Sequence, residues 1–237
     1  MMRFNRIASW SRGALGVPDL TYEQHFSGLV AGIDEAGRGP LAGPVVAAAV
    51  ILSAGPLPIG LNDSKKLSPA RRTTLAAEIR RHHRFGIGQA SVAEIDALNI
   101  LNATYLAMRR ALAALGTPVP MAVLVDGNRD PKLGVTTQLI IGGDGLSASI
   151  AAASIIAKVT RDQILADMAQ ECPGYGFERH KGYGTADHLA ALARLGPTAH
   201  HRRSFAPVTR LLRSTPAEIS DTSTPTGKIS VKVMAVR

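Results

Sequence analysis

The sequence predicts an α/β fold, a five-stranded mixed sheet flanked by helices with a C-terminal helical extension. Three observations predict it. Short apolar runs rich in β-branched residues, such as 45–52, read as strands covered on both faces. Helical patterns separate the later strands, as in layered α/β folds. Two of the apolar runs end in acids, at Asp34 and Asp126, and ligands of such folds gather where loops leave the carboxyl ends of strands.

The first strand begins at Leu29-Val30-Ala31 and leads to Gly32-Ile33-Asp34-Glu35-Ala36-Gly37-Arg38-Gly39-Pro40-Leu41-Ala42-Gly43-Pro44. Neighbouring side chains on a strand face opposite ways, so Asp34 and Glu35 converge on one site only if the backbone turns between or just after them. Gly37 and Gly39 permit that turn and leave N–H groups open to an anion, with Arg38 between them as a cation. The run 45–52 pairs back as a second strand. Gly55, Pro56, Pro58 and Gly60 mark a loop that delivers Asp63-Ser64-Lys65-Lys66-Leu67. Ser68-Pro69 supplies an N-cap and first turn for a helix to about Arg81, with Leu75, Ala76 and Ile79 inward. Residues 85–91 read as a third strand.

Residues 92–115 carry apolar groups at helical spacing, with a break expected near Asn99. Ala122-Val123-Leu124-Val125-Asp126 and the run 135–141 follow as strands. A helix is expected over 147–171, its first half apolar almost all round and small enough to lie tightly on the sheet. Residues 179–184 read as a loop, 186–195 as a helix, and the segment with His200, His201, Arg202 and Arg203 as basic surface. The expected organisation is a lead-in over 1–28, a catalytic domain over 29–213 whose helical extension starts near 172, and a disordered Ser/Thr/Pro-rich tail over 214–237.

Composition narrows the class. The chain of 237 residues has room for one sizeable core. Its 27 Lys and Arg against 18 Asp and Glu, a net charge of +9, point to a polyanionic partner. Cys172 alone can form neither an internal disulfide nor a thiolate-rich zinc site, so a cytoplasmic home is expected. The apolar runs fall short of the roughly 20 residues that span a bilayer, and no signal-peptide pattern opens the chain. No membrane role is expected.

The acids carry the chemistry. If the strands ending at Asp34 and Asp126 are neighbours, Glu35 joins them in a cluster that needs positive charge, and oxygen-preferring divalent cations supply it. Asp144 and Asp162 compete as the fourth acid. At about 1.5 Å per residue a helix between them spans roughly 27 Å, so both cannot line one pocket. Asp144 precedes a helix N-terminus, where the dipole favours a carboxylate, and is chosen; Asp162, four residues after Lys158, reads as an ion-pair partner on the helix. Two oxygen-ligated metals can activate water and stabilise a leaving oxygen in phosphodiester cleavage. A non-catalytic nucleic-acid-binding module would have no reason to place these acids, and a small-molecule phosphatase would not need the surplus positive charge.

The blocks 32–40 and 63–67, Val125-Asp126-Gly127, 149–162 and His180-Lys181-Gly182-Tyr183-Gly184-Thr185 closely resemble bacterial ribonuclease HII, the type 2 ribonuclease H. The resemblance runs from about Leu29 to about Pro207. It implies a ribonuclease H-like fold and endonucleolytic cutting of the RNA strand of RNA–DNA hybrids, including incision at ribonucleotides embedded in duplex DNA. It implies four metal-binding catalytic acids at Asp34, Glu35, Asp126 and Asp144, holding two divalent ions, Mg²⁺ or Mn²⁺, with substrate bound. Backbone groups of Gly37, Arg38 and Gly39 would recognise the 2′-hydroxyl, and Tyr183 would stack on the sugar beyond the scissile junction. Arg38 and the length of the lead-in argue against the sister subtype with an N-terminal platform. One departure stands out: Gly142 lies where many relatives have a lysine two residues before the fourth acid.

Weaker readings attach to the remaining cations. Lys65 and Lys66 suit phosphate contacts or a solvated loop, Lys158 suits a phosphate or Asp162, and Lys181 with His180 suits holding nucleic acid. His200 and His201 fit a basic surface better than a metal pair. The protein is expected to act as a monomer, and no replication or repair partner is legible. Substitution at Gly37 or Gly39 is expected to damage discrimination between ribose and deoxyribose more than metal binding.

Overall fold

The structure, a computed structural model, describes residues 17–214. Most of the expected lead-in and the tail beyond 214 lie outside them. Five strands, β1 (Val30–Ala36), β2 (Val45–Ile51), β3 (Arg84–Ala90), β4 (Ala122–Asp126) and β5 (Thr136–Ile140), form one sheet in the order β3-β2-β1-β4-β5. The pairs β1–β2 and β2–β3 are antiparallel, whereas β1–β4 and β4–β5 are parallel. The parallel join to β4 requires a crossover, made by α2 (Val92–Leu98) and α3 (Ile100–Ala114). The expected break falls at Asn99, whose φ of 67° ends α2 while its side chain caps Leu101 and Asn102 of α3.

Both faces of the sheet are covered, which is why its strands read as continuous apolar runs. Ala47 and Ala49 pack towards α3, Ala48 and Val50 towards α1 (Pro69–His82) and α4 (Ala148–Glu171). Ser68 caps α1 through Arg71 N, and Leu75, Ala76 and Ile79 form its buried stripe. The alanine-rich start of α4 lies almost on β1: a Cβ at Gly32 would sit 2.1 Å from the carbonyl carbon of Ser149. Any side chain there would force the helix off the strand that carries Asp34. Glu23, in the 3-10 turn Glu23–His25, fastens the lead-in to that helix by accepting from the Ser149 N–H and from the hydroxyls of Ser147 and Ser149.

Beyond α4 the chain forms α5 (Phe177–His180), α6 (Ala186–Leu195) and α7 (Ala206–Ser214). The expected helix over 186–195 is present. Two features differ from expectation. α5 occupies the start of the expected 179–184 loop, one turn held because Phe177 is buried against Tyr175, Leu165 and Met168. The segment read as basic surface is interior at two of its four residues: His201 and Arg202 are 1% and 0% exposed, while His200 is half-buried and Arg203 is exposed. Chain after it forms α7 because Val208 packs on Leu41 and Leu192.

Candidate active site

β1 continues through Asp34 and Glu35, which lie opposite Ala48 and Ala47 of β2, so the expectation that the acids end the strand is corrected. The pleat sends the two side chains to opposite faces. Asp34 shares the α4 face with Gly32. Asp126 ends β4 one place beyond Val125, the partner of Ile33, and therefore shares that face. Asp144 lies in the 3-10 turn Gly143–Gly145 just before α4, and this turn is tied to β4 because Gly143 N–H donates to Asp126 Oδ1 at 2.7 Å. Oxygens of Asp34, Asp126 and Asp144 lie within 4.8 Å of one another. Glu35 is outside that trio but lines the same cavity, accepting from the Arg38 guanidinium at 3.1 Å. Asp162 is instead paired with Lys158 at 2.6 Å.

The trio is electrostatically costly. Burial, then the charges of Glu35 and Asp126, push the Asp34 carboxyl well above its ordinary range. Burial also raises Glu35 against the pull of Arg38, and raises Asp126 against the Gly143 hydrogen bond. The cation on Asp144 is Lys65, whose Nζ lies 3.2 Å from Oδ2. Burial disfavours that ammonium, but Asp144, Asp63 and Asp34 outweigh it and hold Lys65 charged. Gly142 has a left-handed φ of 67° and leads into the Asp144 turn.

A cavity of about 280 Å³ is lined by Asp34, Glu35, Asp126, Lys65 and Lys158 together with the 37–39 turn and Tyr183. Lys66 is exposed on the turn Ser64–Lys66, and Lys181 faces a neighbouring groove. Tyr183 is 49% exposed, with its ring 3.5 Å from where a Cβ on Gly39 would stand.

The turn is held from behind by two buried arginines. Arg202 donates to the carbonyls of Gly37 (2.6 Å), Arg38 (2.9 Å) and Gly43 (2.8 Å). Arg161 donates to the carbonyls of Ala42, Pro44 and Lys181, joining the turn to the Tyr183 loop. In a planar trans peptide C=O and N–H point oppositely. Holding the Gly37 and Arg38 carbonyls therefore turns the N–H groups of Arg38 and Gly39 away from Arg202. Burial lowers the guanidinium pKa values to about 10 for Arg161 and about 9 for Arg202, which leaves both charged at neutral pH.

Three histidines hold the other half. Thr198 N–H donates to His201 Nδ1, so His201 Nε2 carries the proton and donates to His188 Nε2 at 3.1 Å. His188 Nδ1–H then donates to the Tyr183 carbonyl at 2.8 Å. His180 accepts from Gly182 N–H. Burial, then the neighbouring His188, pulls His201 down to about 4, consistent with a neutral His201 ring. Sequence reasoning missed the roles of Arg202, His188 and His201. Arg161 left no local signal either, since it stands in the mixed second half of α4 beside Lys158 and Asp162.

The two glycines are not equivalent. Gly37 has φ +98°, and a Cβ there would stand 2.0 Å from Arg161 Nε; Gly39 would meet Tyr183 at ordinary contact distance. Gly37→Ala is expected to destabilise by about 2 kcal/mol or more through backbone strain and displacement of Arg161, whereas Gly39→Ala should change stability by less than about 0.5 kcal/mol. Urea unfolding of both variants checks this, and equal losses would contradict it.

The family model described as Ribonuclease HII matches residues 31–208. A curated relative from Rhodospirillum rubrum, "Ribonuclease HII", is 60% identical over 202 residues, covering 83% of this chain and 92% of its own. The crystal structure of ribonuclease H2 from Pyrococcus horikoshii OT3 is similar with a TM-score of 0.64 at 26% identity, covering 78% of this chain and 97% of that one. Bst-RNase HIII in complex with Mn²⁺ shares the fold with a TM-score of 0.67 at 18% identity, covering 89% and 76%.

Proposed function

The chain belongs to the ribonuclease HII family, and from that premise we propose that it hydrolyses the RNA strand of RNA–DNA hybrids and incises at ribonucleotides embedded in duplex DNA, leaving 3′-hydroxyl and 5′-phosphate ends. The observation that carries the reading is the carboxylate trio, two of whose members, Asp34 and Asp126, line one cavity together with the 37–39 turn and Tyr183. The residues fit hard divalent cations: the donors are oxygens, and burial together with neighbouring carboxylates disfavours the charge of Asp34 and Asp126 until a cation is present. Asp34, Asp126 and Asp144, with Glu35 beside them, would hold Mg²⁺ or Mn²⁺. Two such ions, when bound, supply an activated water and charge stabilisation at the leaving oxygen.

The protein's own groups do the selecting. The N–H groups of Arg38 and Gly39 are free of the contacts that hold their carbonyls, and they address the 2′-hydroxyl, the atom that separates RNA from DNA. The Tyr183 ring supports the adjoining sugar. Arg38 steadies Glu35. Lys65 and Lys158 at the cavity, with Lys66 and Lys181 outside it, attract the phosphate backbone and set its register. We place the enzyme in the cytoplasm as a monomer; among the described residues no helix is long and apolar enough to cross a membrane.

The test compares an RNA–DNA hybrid, a duplex with one ribonucleotide and the same duplex all in DNA, with Mg²⁺, with Mn²⁺ and with EDTA. Metal-dependent cutting of the first two, with 3′-hydroxyl ends, is expected. Cutting that survives chelation, or equal cutting of the all-DNA duplex, would overturn the reading.

A further inference from the structure

A groove of about 900 Å³ adjoins the active-site cavity, and Lys158 stands in the wall of both. It runs along α4 between α1 and α5. Its lining includes Arg72, Arg80, Lys158, Arg179 and Lys181 against two carboxylates, Asp162 and Glu178, so five cations oppose two anions. Neither carboxylate stands bare. Asp162 is met by Lys158 at 2.6 Å and Arg72 at 3.9 Å, and Glu178 by Arg179 at 3.1 Å. The excess of three positive charges is left for something else.

The shape of the charge distribution says what. A compact anion is gripped by donors that converge, but here the cations are strung out. Arg80 reaches across from α1 to Thr160 on α4 at 3.0 Å, while Arg179 and Lys181 belong to α5 and the residue after it. The α4 wall from Lys158 to Ala166 is about 12 Å long at about 1.5 Å per residue. That is long enough for more than one successive phosphate of a single strand, since a strand carries one charge per nucleotide. A row of cations beside a nuclease cavity fits the sequence-independent backbone of a nucleic-acid strand better than an acidic protein segment, because the row continues directly from the reaction site.

We infer that this groove carries the phosphate backbone of the strand flanking the cleavage site, on one side of it, with Arg80 and Arg179 as contacts beyond the catalytic centre. The inference rests on the nuclease reading above. It makes affinity depend on duplex length in one direction only.

The experiment uses the full chain with Arg80→Glu and Arg179→Glu combined, and a milder Arg80→Gln, Arg179→Gln pair in case charge reversal perturbs folding. Substrates are a long duplex with one central ribonucleotide and versions trimmed close to it on either side. On the long duplex at 0.15 M salt, the reversed variant should raise KM about tenfold with kcat within about twofold, and the slope of log(kcat/KM) against log[salt] should weaken by about two. Trimming one flank should raise the wild-type KM to the variant's level and leave the variant unchanged; trimming the other should not. Unchanged KM and salt slope in both variants, as expected if the groove serves an acidic protein, overturns the inference. So does a KM penalty equal on all three substrates. If wild type cuts none of them, the nuclease reading has failed; fluorescence anisotropy of the same duplexes then decides the groove separately, equal binding by wild type and variant overturning it.

Discussion

Asp34→Asn is expected to lower kcat by about 10³-fold or more, at least about 4 kcal/mol of barrier, while producing a protein that unfolds at a higher temperature in the absence of divalent metal. The two effects share a cause. Asp34 is 5% exposed and its oxygens lie within 4.8 Å of those of Asp126 and Asp144. Burial and this neighbourhood hold its pKa above the unfolded value of 3.8. A carboxyl raised on folding binds more protons in the native state between those two values, so it lowers stability as pH rises through that interval. At neutral pH the buried carboxyl therefore opposes folding, and an isosteric amide removes the opposition along with the ligand. Thermal unfolding with and without Mn²⁺ checks the argument: wild type should gain stability on adding metal and the variant should gain less. A variant that is inactive and also less stable without metal would show that Asp34 serves the fold, through its hydrogen bond with the Ser154 side chain, more than the site.

Arg202→Met should cost about 3 kcal/mol or more and reduce the preference for ribose at the cleavage site by about tenfold. Removing the guanidinium leaves the buried carbonyl of Gly43 and the part-buried carbonyls of Gly37 and Arg38 without the donor that holds them, and each such loss costs up to about 1–3 kcal/mol less whatever relaxation and water recover. The turn would then be free to rotate its peptides, and the N–H groups of Arg38 and Gly39 would lose their fixed direction. Arg202→Lys keeps the charge, but a single ammonium cannot reproduce a planar fork that spans three carbonyls, so it should recover stability more than selectivity. The measurement is the KM for a duplex with one ribonucleotide set against the inhibition constant of its all-DNA counterpart. Metal-induced stabilisation should stay near wild type, because Arg202 touches none of the three clustered acids. Unchanged ribose preference in Arg202→Met would show that the turn keeps its shape without help.

Local chemistry was legible wherever cause and effect sit close in the chain. Ser68-Pro69 starts α1 because the cap bond is made within one turn, and Asn99 divides α2 from α3 because its side chain competes with its own backbone. Helix length alone excluded a joint site for Asp144 and Asp162, and the structure gathers Asp144 with Asp34 and Asp126 while Asp162 pairs with Lys158. The acid-bearing strand was legible as a strand, but its end was not. β1 carries Asp34 and Glu35 within it because pairing with β2 extends to Ala36, and pairing is a property of two segments.

By itself the sequence determined the α/β class, the order of its five strands along the chain, the acids and the glycine-rich turn, because periodicity, caps and residue types are written locally. Only the tertiary structure decided the rest. It sent Asp34 and Glu35 to opposite faces, seated Lys65 on Asp144, and buried Arg161 and Arg202 beneath the 37–39 turn. An arginine reads as surface in any local window, since its charge favours water. What makes its burial tolerable is a set of carbonyls from Gly37, Arg38 and Gly43, some 160 residues away in the chain from Arg202, and no spacing rule within a segment can announce that meeting.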